Sequence, residues 1–376
     1  MEWYDSEERA LFAGTGDKFA KWVMEKFPPE KLEERIAPDK FNWEMIKQGT
    51  QAGLLCAPMP ENFGGAGLDP IGRAVVLERV SRGVAGAAVI LSVHWAGLLG
   101  LASLANDKKI ENMLSQFPEK AGDSHPRLCG FALPAAAVGY EKGFSPEFKK
   151  SEGAIFISGE FICPLHPSLA EQVLVSITVE KEPMLFSLPG KELAPFCREA
   201  YPGTGLLEMP IARLDLKGFK APAESLIASG EKAKQSINIL WCSLYSGLSS
   251  AMAGNARAAS DYAWEYSRQR IQAGRLIIEH QDLRRVLENM NMMADASWAT
   301  IVSAAAEDNM EQGIARIRRA FLFAGTACEQ VCLDAIQCLG GYGYMEDYPL
   351  ERRLRDLKTM QCLLGSYALE WIGESY

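Results

Sequence analysis

Two groups of residues in this chain have the types and spacing that phosphate binding needs. Gly340, Gly341 and Gly343 follow an apolar stretch with helical periodicity, and glycines at such a point let backbone amides approach a phosphate or an adenine ring closely. Arg270 follows a second such stretch and offers the planar donor fork that suits a pyrophosphate. Alone, the glycines would be interpreted as a helix C-cap and turn. Together with Arg270 and Gln281 they favour a binding site.

The cysteines are better explained as core residues than as ligands. Cys328 and Cys332 lie one helical turn apart, a spacing that a soft metal could use, but two thiols on an apolar helix are more often part of the core. None of the nine cysteines has the paired short spacing of zinc ligands. We therefore predict no metal site and reduced, mostly buried thiols.

Two other reactive groups also have simpler interpretations. His166 could serve as an acid or base, but a lone histidine beside two prolines is more often a loop residue. A basic cluster lies on one predicted helix and comprises Arg352, Arg353, Arg355 and Lys358. We expect its members to form ion pairs with neighbours such as Glu351 and Asp356.

The secondary structure predicted to position these residues changes along the chain from helices to strands and back to helices. Helical periodicity fills the first part, at 8–26, 41–53, 74–83 and 87–105. Short alternating runs that end at glycine or proline follow, at 154–161, 172–180, 184–190 and 211–219. Long apolar-periodic stretches then return, at 237–268, 281–307 and 312–339. The order predicts a helical domain at 1–127, a β domain at 128–230 and a helical domain at 231–376.

Composition narrows the class of protein. A chain of 376 residues with 48% hydrophobic and 23% charged residues is an ordinary globular protein of two or three packed units. Its formal net charge of −9 disfavours nucleic acid or an anionic membrane as the main partner. The first residues lack the pattern of a signal peptide, and we expect the protein in the cytoplasm.

Three stretches make the chain resemble the acyl-CoA dehydrogenases. PENFGGAGLD, at 60–69, is similar to the family's loop between its second and third helices, and SRQRIQAGRLIIEHQ, at 267–281, resembles its arginine, phenylalanine, glycine signature, with Ala273 in place of phenylalanine. The third stretch, QCLGGYGYMEDYPLERRLRDLK at 337–358, is the most specific. It resembles the family's glycine turn and the Arg-Asp-x-Lys motif that follows.

The resemblance implies an α+β fold with an N-terminal α-helical domain, a middle β-barrel-like domain and a C-terminal four-helix bundle. It also implies FAD as cofactor, an acyl-CoA substrate and electron-transfer flavoprotein as acceptor. In this family each FAD lies at a dimer interface, where the neighbouring subunit reaches its ADP end. The residues that match this ADP-binding set are Arg270, Gln281, Gln337, Gly340 and Gly341.

The chain departs from the family where the chemistry takes place. A carboxylate must remove the α-proton of the thioester, but the position of the usual glutamate is Leu364, and the alternative position in some relatives falls near Leu244. We expect Glu370 to be an exposed helix residue, and His94 with Trp95 to line the acyl pocket or the core. The loops that would hold the flavin ring match 133–140 and 163–166, which lack the usual polar contacts.

The pattern of losses suggests a paired subunit. Residues that would serve a neighbour's FAD remain, whereas those for the chain's own flavin ring and base are absent. We therefore predict that this protein is the degenerate subunit of a hetero-oligomeric acyl-CoA dehydrogenase, and that its partner is a catalytic paralogue. Three alternatives stay open: a self-sufficient homotetramer with an unusual base, an oxidase or monooxygenase of the same fold, and a non-enzymatic scaffold.

Overall fold

A computed structural model describes residues 6–28, 35–118, 125–135, 147–151, 154–200, 204–307 and 310–364. Within these ranges the chain forms helices, then a curled sheet, then long helices, as the α+β expectation required. One large apolar core joins the two helical parts and part of the sheet, and a second, smaller core fills the interior of the β domain.

Most of the N-terminal helices begin just after a residue whose side chain caps them. Ser6, Asn42 and Asp69 each accept a hydrogen bond from a backbone N–H in the first turn of the helix that follows. The helices are α1 (Glu7–Lys26), α2 (Trp43–Gln51), α3 (Pro70–Gly83), α4 (Ala85–Ala102) and α5 (Lys108–Leu114).

Helix α4 is the central helix of this domain. By length and hydropathy it would suit a membrane span, but 89% of it is buried inside the protein. It is apolar on all sides because it packs against α3, the first strand and the longest helix of the chain.

The described strands of the β domain form one eight-stranded sheet. They are β1 (Leu128–Pro134), β2 (Glu147–Ser151), β3 (Ala154–Cys163), β4 (Ala170–Val179), β5 (Glu182–Pro189), β6 (Cys197–Ala200), β7 (Ala212–Ala221) and β8 (Leu226–Ser229). Their order is β6-β7-β3-β1-β4-β5-β8, with β2 paired to β3, and a short helix α6 (Gly190–Leu193) follows β5. Strands β1 and β4 pair in parallel, whereas the other pairs are antiparallel.

The C-terminal part is a bundle of long helices. They are α7 (Gly230–Gln269), α8 (Gln281–Ala305), α9 (Met310–Leu339) and α10 (Leu350–Leu363). A two-stranded hairpin, β9 (Ile271–Gln272) with β10 (Arg275–Leu276), links α7 to α8. Because α8 runs back along the bundle, α7 and α9 end on the same side of the molecule.

Candidate functional site

The carboxyl ends of α7 and α9 bring the two predicted phosphate-binding groups together. The guanidinium carbon of Arg270 lies 5.7 Å from the centre of the Tyr342 ring, within the glycine turn that follows α9. Arg270 is exposed, and no carboxylate in the described ranges pairs with it. An unpaired guanidinium held over an aromatic face is available to a phosphate from outside the subunit.

The glycines of the turn divide into two roles. Gly340 has a left-handed φ of +59°, and a Cβ added at Gly340 or Gly341 would meet no atom within 4 Å. At Gly343 an added Cβ would lie 2.4 Å from the carbonyl oxygen of Ile336. Gly343 is therefore required by packing, while the backbone at Gly340 and Gly341 is open to a ligand.

The two glutamines of the predicted set lie on the surface. Gln281 is the first residue of α8, and Gln337 is in the last turn of α9. The structure shows contact between Arg270 and the turn, but no hydrogen bond within the described ranges joins either glutamine to them. Their role in binding stays a prediction.

The hairpin beside Arg270 contains residues that the sequence reasoning missed. His280 contacts Arg275 at 3.0 Å and the carbonyl of Gln272 at 3.3 Å through its two ring nitrogens, so it ties the hairpin to the start of α8. Ala273 adopts a left-handed φ of +52° in the turn. The Ala-Gly pair after Arg270 was the available signal, because two-residue turns of this type need positive φ values.

Both positions where the resemblance placed a catalytic base are buried. Leu364 and Leu244 have no exposed surface and belong to the main core. Neither side chain can accept a proton. Glu370, the remaining candidate, lies outside the described residues.

Of the loops that the resemblance assigns to the flavin ring, the residues that the structure describes offer few polar groups. Cys163 and Leu165 are fully buried, and burial raises the pKa of the Cys163 thiol well above its usual range. His166 accepts a hydrogen bond from the backbone N–H of Ser168 and lies next to its hydroxyl, so it stabilises the local turn. Of the matching loop at 133–140, residues 136–140 lie outside the described ranges.

His94 serves the core. Its Nδ1 accepts a hydrogen bond from the backbone N–H of Cys129 at 2.9 Å, which joins α4 to β1, and burial lowers the pKa of His94 to about 3. Trp95 is also buried and donates from Nε1 to the carbonyls of Leu54 and Leu55. Both residues are core residues, one of the two roles expected for them.

The basic cluster on α10 forms ion pairs, as expected from the sequence. Arg355 pairs with Glu351 at 2.7 Å, and Arg352 lies 3.7 Å from Asp356. The stronger partner of Arg352 is distant in sequence, because its Nη2 donates to Glu208 at 2.7 Å.

Asp356 and Thr359 anchor α10 to the loop before β7. Asp356 accepts from the backbone N–H of Leu206 at 2.6 Å, and Thr359 accepts from that of Gly205 at 2.9 Å. Gly205 has no room for a side chain, since an added Cβ would lie 2.2 Å from the carbonyl oxygen of Arg355. These contacts fix the direction of α10 and hence the position of Leu364.

The fold and the site define a class of protein. A helical domain, a curled sheet and a long-helix bundle, with an arginine and a glycine turn at one end of the bundle, form the architecture of the flavoprotein dehydrogenases. Two family models match the chain: "Acyl-CoA dehydrogenase, N-terminal domain" at residues 6–118 and "Acyl-CoA dehydrogenase, C-terminal domain" at 247–371. The chain belongs to the acyl-CoA dehydrogenase family.

Individual relatives agree with this assignment. The chain is 28% identical to an acyl-CoA dehydrogenase of Bacillus subtilis in an alignment 378 residues long, gaps included, which covers 93% of this chain and 95% of that protein. Its fold matches that of butyryl-CoA dehydrogenase from Megasphaera elsdenii, with a TM-score of 0.82, 22% identity and coverage of 100% and 99%. It also matches a chain described as the electron transferring flavoprotein of Acidaminococcus fermentans, with a TM-score of 0.84, 21% identity and coverage of 100% and 98%.

FAD is the cofactor of this family, and the residues of this chain fit its two ends unequally. The open backbone at Gly340 and Gly341, next to the exposed Arg270, fits the phosphates of a dinucleotide that approaches from outside. Cys163 and Leu165, which the resemblance aligns with the ring-binding loop, are fully buried and their side chains offer no strong hydrogen bond to a flavin edge.

Proposed function

We propose that this protein is the non-catalytic subunit of a hetero-oligomeric acyl-CoA dehydrogenase, and that it completes the FAD site of a catalytic paralogue. The observation that carries the proposal is the contrast between two sites. Arg270 stands exposed beside an open glycine turn and forms no ion pair with any described residue, whereas Leu364 and Leu244 fill both base positions with buried aliphatic side chains.

The exposed position of the predicted FAD-binding residues supports a role in the FAD site of a second subunit. Arg270, Gln281, Gln337, Gly340 and Gly341 all lie on the outer surface of the bundle. On this surface they are accessible to a dinucleotide phosphate that is held mainly by a second subunit. Arg270 would take the pyrophosphate in its donor fork, and the amides of the glycine turn would approach the phosphate or adenine end.

The partner would supply what this chain lacks. FAD, when bound, would supply the hydride acceptor for the β-hydrogen of the acyl thioester, and the partner's glutamate would remove the α-proton. Electron-transfer flavoprotein is then the proposed acceptor and the cytoplasm the proposed location. We place the domain limits at 127/128 and 230/231.

Purification of the native complex tests the proposal. A tagged chain isolated from its own cells should bring down a family member with glutamate at the position of Leu364, together with FAD in less than one equivalent per chain. The same chain expressed alone should be colourless and inactive with acyl-CoA.

A matched pair of variants tests the site itself. Arg270→Gln should lower the FAD retained by the complex by about tenfold or more, because a charge-assisted hydrogen bond to phosphate is lost. Arg268→Gln, at an exposed arginine two residues away that pairs with Glu265, is the control and should leave FAD content unchanged.

Other outcomes would favour the alternatives. A yellow homotetramer that oxidises an acyl-CoA without a partner would overturn the proposal and indicate a self-sufficient enzyme. Oxygen uptake with the reduced flavin would indicate an oxidase, and a native complex without flavin absorbance would indicate a scaffold.

A further inference from the structure

His280 lies between the hairpin that follows Arg270 and the first residue of α8. Its Nδ1 is 3.0 Å from Nη2 of Arg275, and its Nε2 is 3.3 Å from the carbonyl oxygen of Gln272. Gln272 and Arg275 are a paired set, one on each strand, and they flank the turn of the hairpin. A single imidazole therefore holds both strands against the start of α8.

These two contacts determine which nitrogen of His280 carries the hydrogen. An arginine side chain donates hydrogen bonds and accepts none, so Nδ1 must be the acceptor for Arg275. The carbonyl of Gln272 only accepts, so Nε2 must carry the hydrogen. The neutral ring with its hydrogen on Nε2 is thus the form of His280 that satisfies both contacts.

The hairpin is short and exposed. It contains two residue pairs, residues 271–275 are exposed, and both Ala273 and Gly274 have positive φ in the turn. A two-stranded hairpin of this kind is marginally stable in water by itself. The N–H of Ile277 donates to the carbonyl of Arg270 at 2.8 Å, so the hairpin closes on the residue that carries the guanidinium. A change in the shape of the hairpin would therefore move Arg270.

Protonation of His280 would break one of its two contacts. A hydrogen on Nδ1 would point at the guanidinium of Arg275, and two cations would then face each other across 3.0 Å. Within the described ranges no carboxylate forms an ion pair with His280 that would offset this repulsion.

The elements around His280 carry charges of both signs. Glu265 pairs with Arg268 at 3.7 Å, and Asp282 pairs with Arg285 at 3.9 Å, so these two acids already have partners. The charged and titratable residues of these elements are Tyr262, Glu265, Tyr266, Arg268 and Arg270 on α7 and at its end, Arg275 in the hairpin, Glu279 in the turn before α8, Asp282, Arg284 and Arg285 in α8, and Tyr342 in the glycine turn.

We propose that His280 is a positioning residue for Arg270, and that its neutral imidazole holds the hairpin in the shape that presents Arg270 to the phosphates of FAD. This inference rests on the proposed FAD site and adds a dependence on pH to it. Histidine is the side chain whose charge changes between pH 5 and 8. Acid would protonate His280, loosen the hairpin and weaken FAD binding by the complex.

An effect of charge alone would have the opposite sign. A new cation near a pyrophosphate would strengthen FAD binding in acid, and added salt would screen that effect. The proposed change in shape weakens FAD binding in acid, and it persists at high ionic strength. The direction of the pH dependence therefore separates the two effects.

Titration of the flavin-free native complex with FAD, from about pH 5.5 to 8 and at high ionic strength, tests the proposal. The dissociation constant of the wild-type complex should rise about five- to tenfold towards the acid end, because one charge-assisted hydrogen bond is lost.

Two substitutions of His280 sharpen the test. His280→Asn keeps an acceptor for Arg275 that acid does not protonate, so it should bind FAD like the wild type at pH 8 and lose the pH dependence. His280→Phe keeps a ring that accepts no such hydrogen bond, so it should bind FAD about five- to tenfold more weakly at every pH. His125→Asn is the control, because His125 stacks on Trp43 at the start of α2, and it should keep the pH dependence of the wild type.

A double variant tests whether Arg275 acts through His280. Arg275→Met should weaken FAD binding about as much as His280→Phe does. The two changes together should be no worse than either alone, because both remove the same contact.

Three results would overturn the proposal. They are tighter FAD binding in acid, a wild-type pH dependence in His280→Asn, and additive losses for His280→Phe and Arg275→Met. Arg270→Gln separates this proposal from the FAD site itself. Lower FAD retention in Arg270→Gln, together with unchanged FAD binding in both His280 variants, would reject the positioning role alone, whereas unchanged retention in Arg270→Gln would reject the FAD site.

Discussion

Single residues decide whether this chain can do chemistry by itself. Leu364 and Leu244 fill both base positions with side chains that hold no proton and have no exposed surface. By contrast, Arg270 keeps its charge available beside Tyr342. The two positions that the resemblance assigns to the base are thus aliphatic and buried, whereas the arginine that it assigns to the cofactor is exposed.

Restoring the carboxylate at position 364 should not restore activity. Leu364→Glu would place an unpaired carboxylate in the core and should cost about 3–5 kcal/mol of unfolding free energy near neutral pH. Leu364→Gln, which is polar but uncharged, should cost less. Urea unfolding at several pH values would measure both, and the difference between them should shrink as acid protonates the glutamate. Turnover of an acyl-CoA by the lone Leu364→Glu chain would contradict the non-catalytic role.

At the scale of elements, the turn after α9 contains one glycine that packing requires, Gly343, and another, Gly341, whose backbone is open to a ligand. Gly343→Ala should destabilise the protein by about 1–3 kcal/mol, because the new methyl group would meet the backbone carbonyl of Ile336. Gly341→Ala meets no atom and should change stability by less than about 0.5 kcal/mol.

The same two variants should have different effects on the cofactor. Gly341→Ala should lower the FAD content of the complex, because the methyl group would occupy the open side of the turn. Thermal unfolding and flavin absorbance of the complex check both effects. Normal FAD retention by Gly341→Ala would show that the ligand does not approach the backbone here.

The link between α10 and the loop before β7 should make stability depend on pH. Burial and the nearby Glu208 raise the pKa of Asp356 to about 7, against the opposing charges of Arg352 and Arg353. The folded state then holds a proton that the unfolded chain loses near pH 3.8. The stabilisation is complete below that pH and is lost as pH rises towards 7.

Two substitutions would measure this dependence. Asp356→Asn should remove most of the fall in unfolding free energy between pH 4 and 7, and Glu208→Gln should reduce it by lowering the pKa of Asp356. Urea unfolding across this range, compared with the wild type, gives the difference directly. Curves of equal slope for all three proteins would show that Asp356 does not titrate in this window.

At the scale of the whole molecule, the proposed FAD site exists only in the assembly. Free FAD should raise the melting temperature of the complex after its flavin is removed, with a gain of about 2.7 kcal/mol at a hundred times the dissociation constant. The lone chain should show no shift, because it holds the ADP-facing side alone. An equal shift for the lone chain would indicate that it binds FAD by itself.

Local sequence patterns predicted the long helices but not the features that depend on capping and packing. The long helices at 237–268, 281–307 and 312–339 match α7, α8 and α9 closely, because their apolar periodicity runs over many turns. Helix α3 begins at Pro70 rather than at residue 74, because Asp69 caps it. The seven-residue helix α5 was not expected, since so short an element carries little periodicity.

What the sequence alone determined is the fold class, the family and the absence of a carboxylate at Leu364 and Leu244, because these depend on local pattern and on residue identity. Only the tertiary structure placed Arg270 over Tyr342 and joined Arg352 to Glu208. Each of those facts depends on how helices and loops pack. Residues far apart in the chain become neighbours when the helices and loops that carry them bury apolar surface against each other. The local sequence around any one of these residues does not predict such contacts.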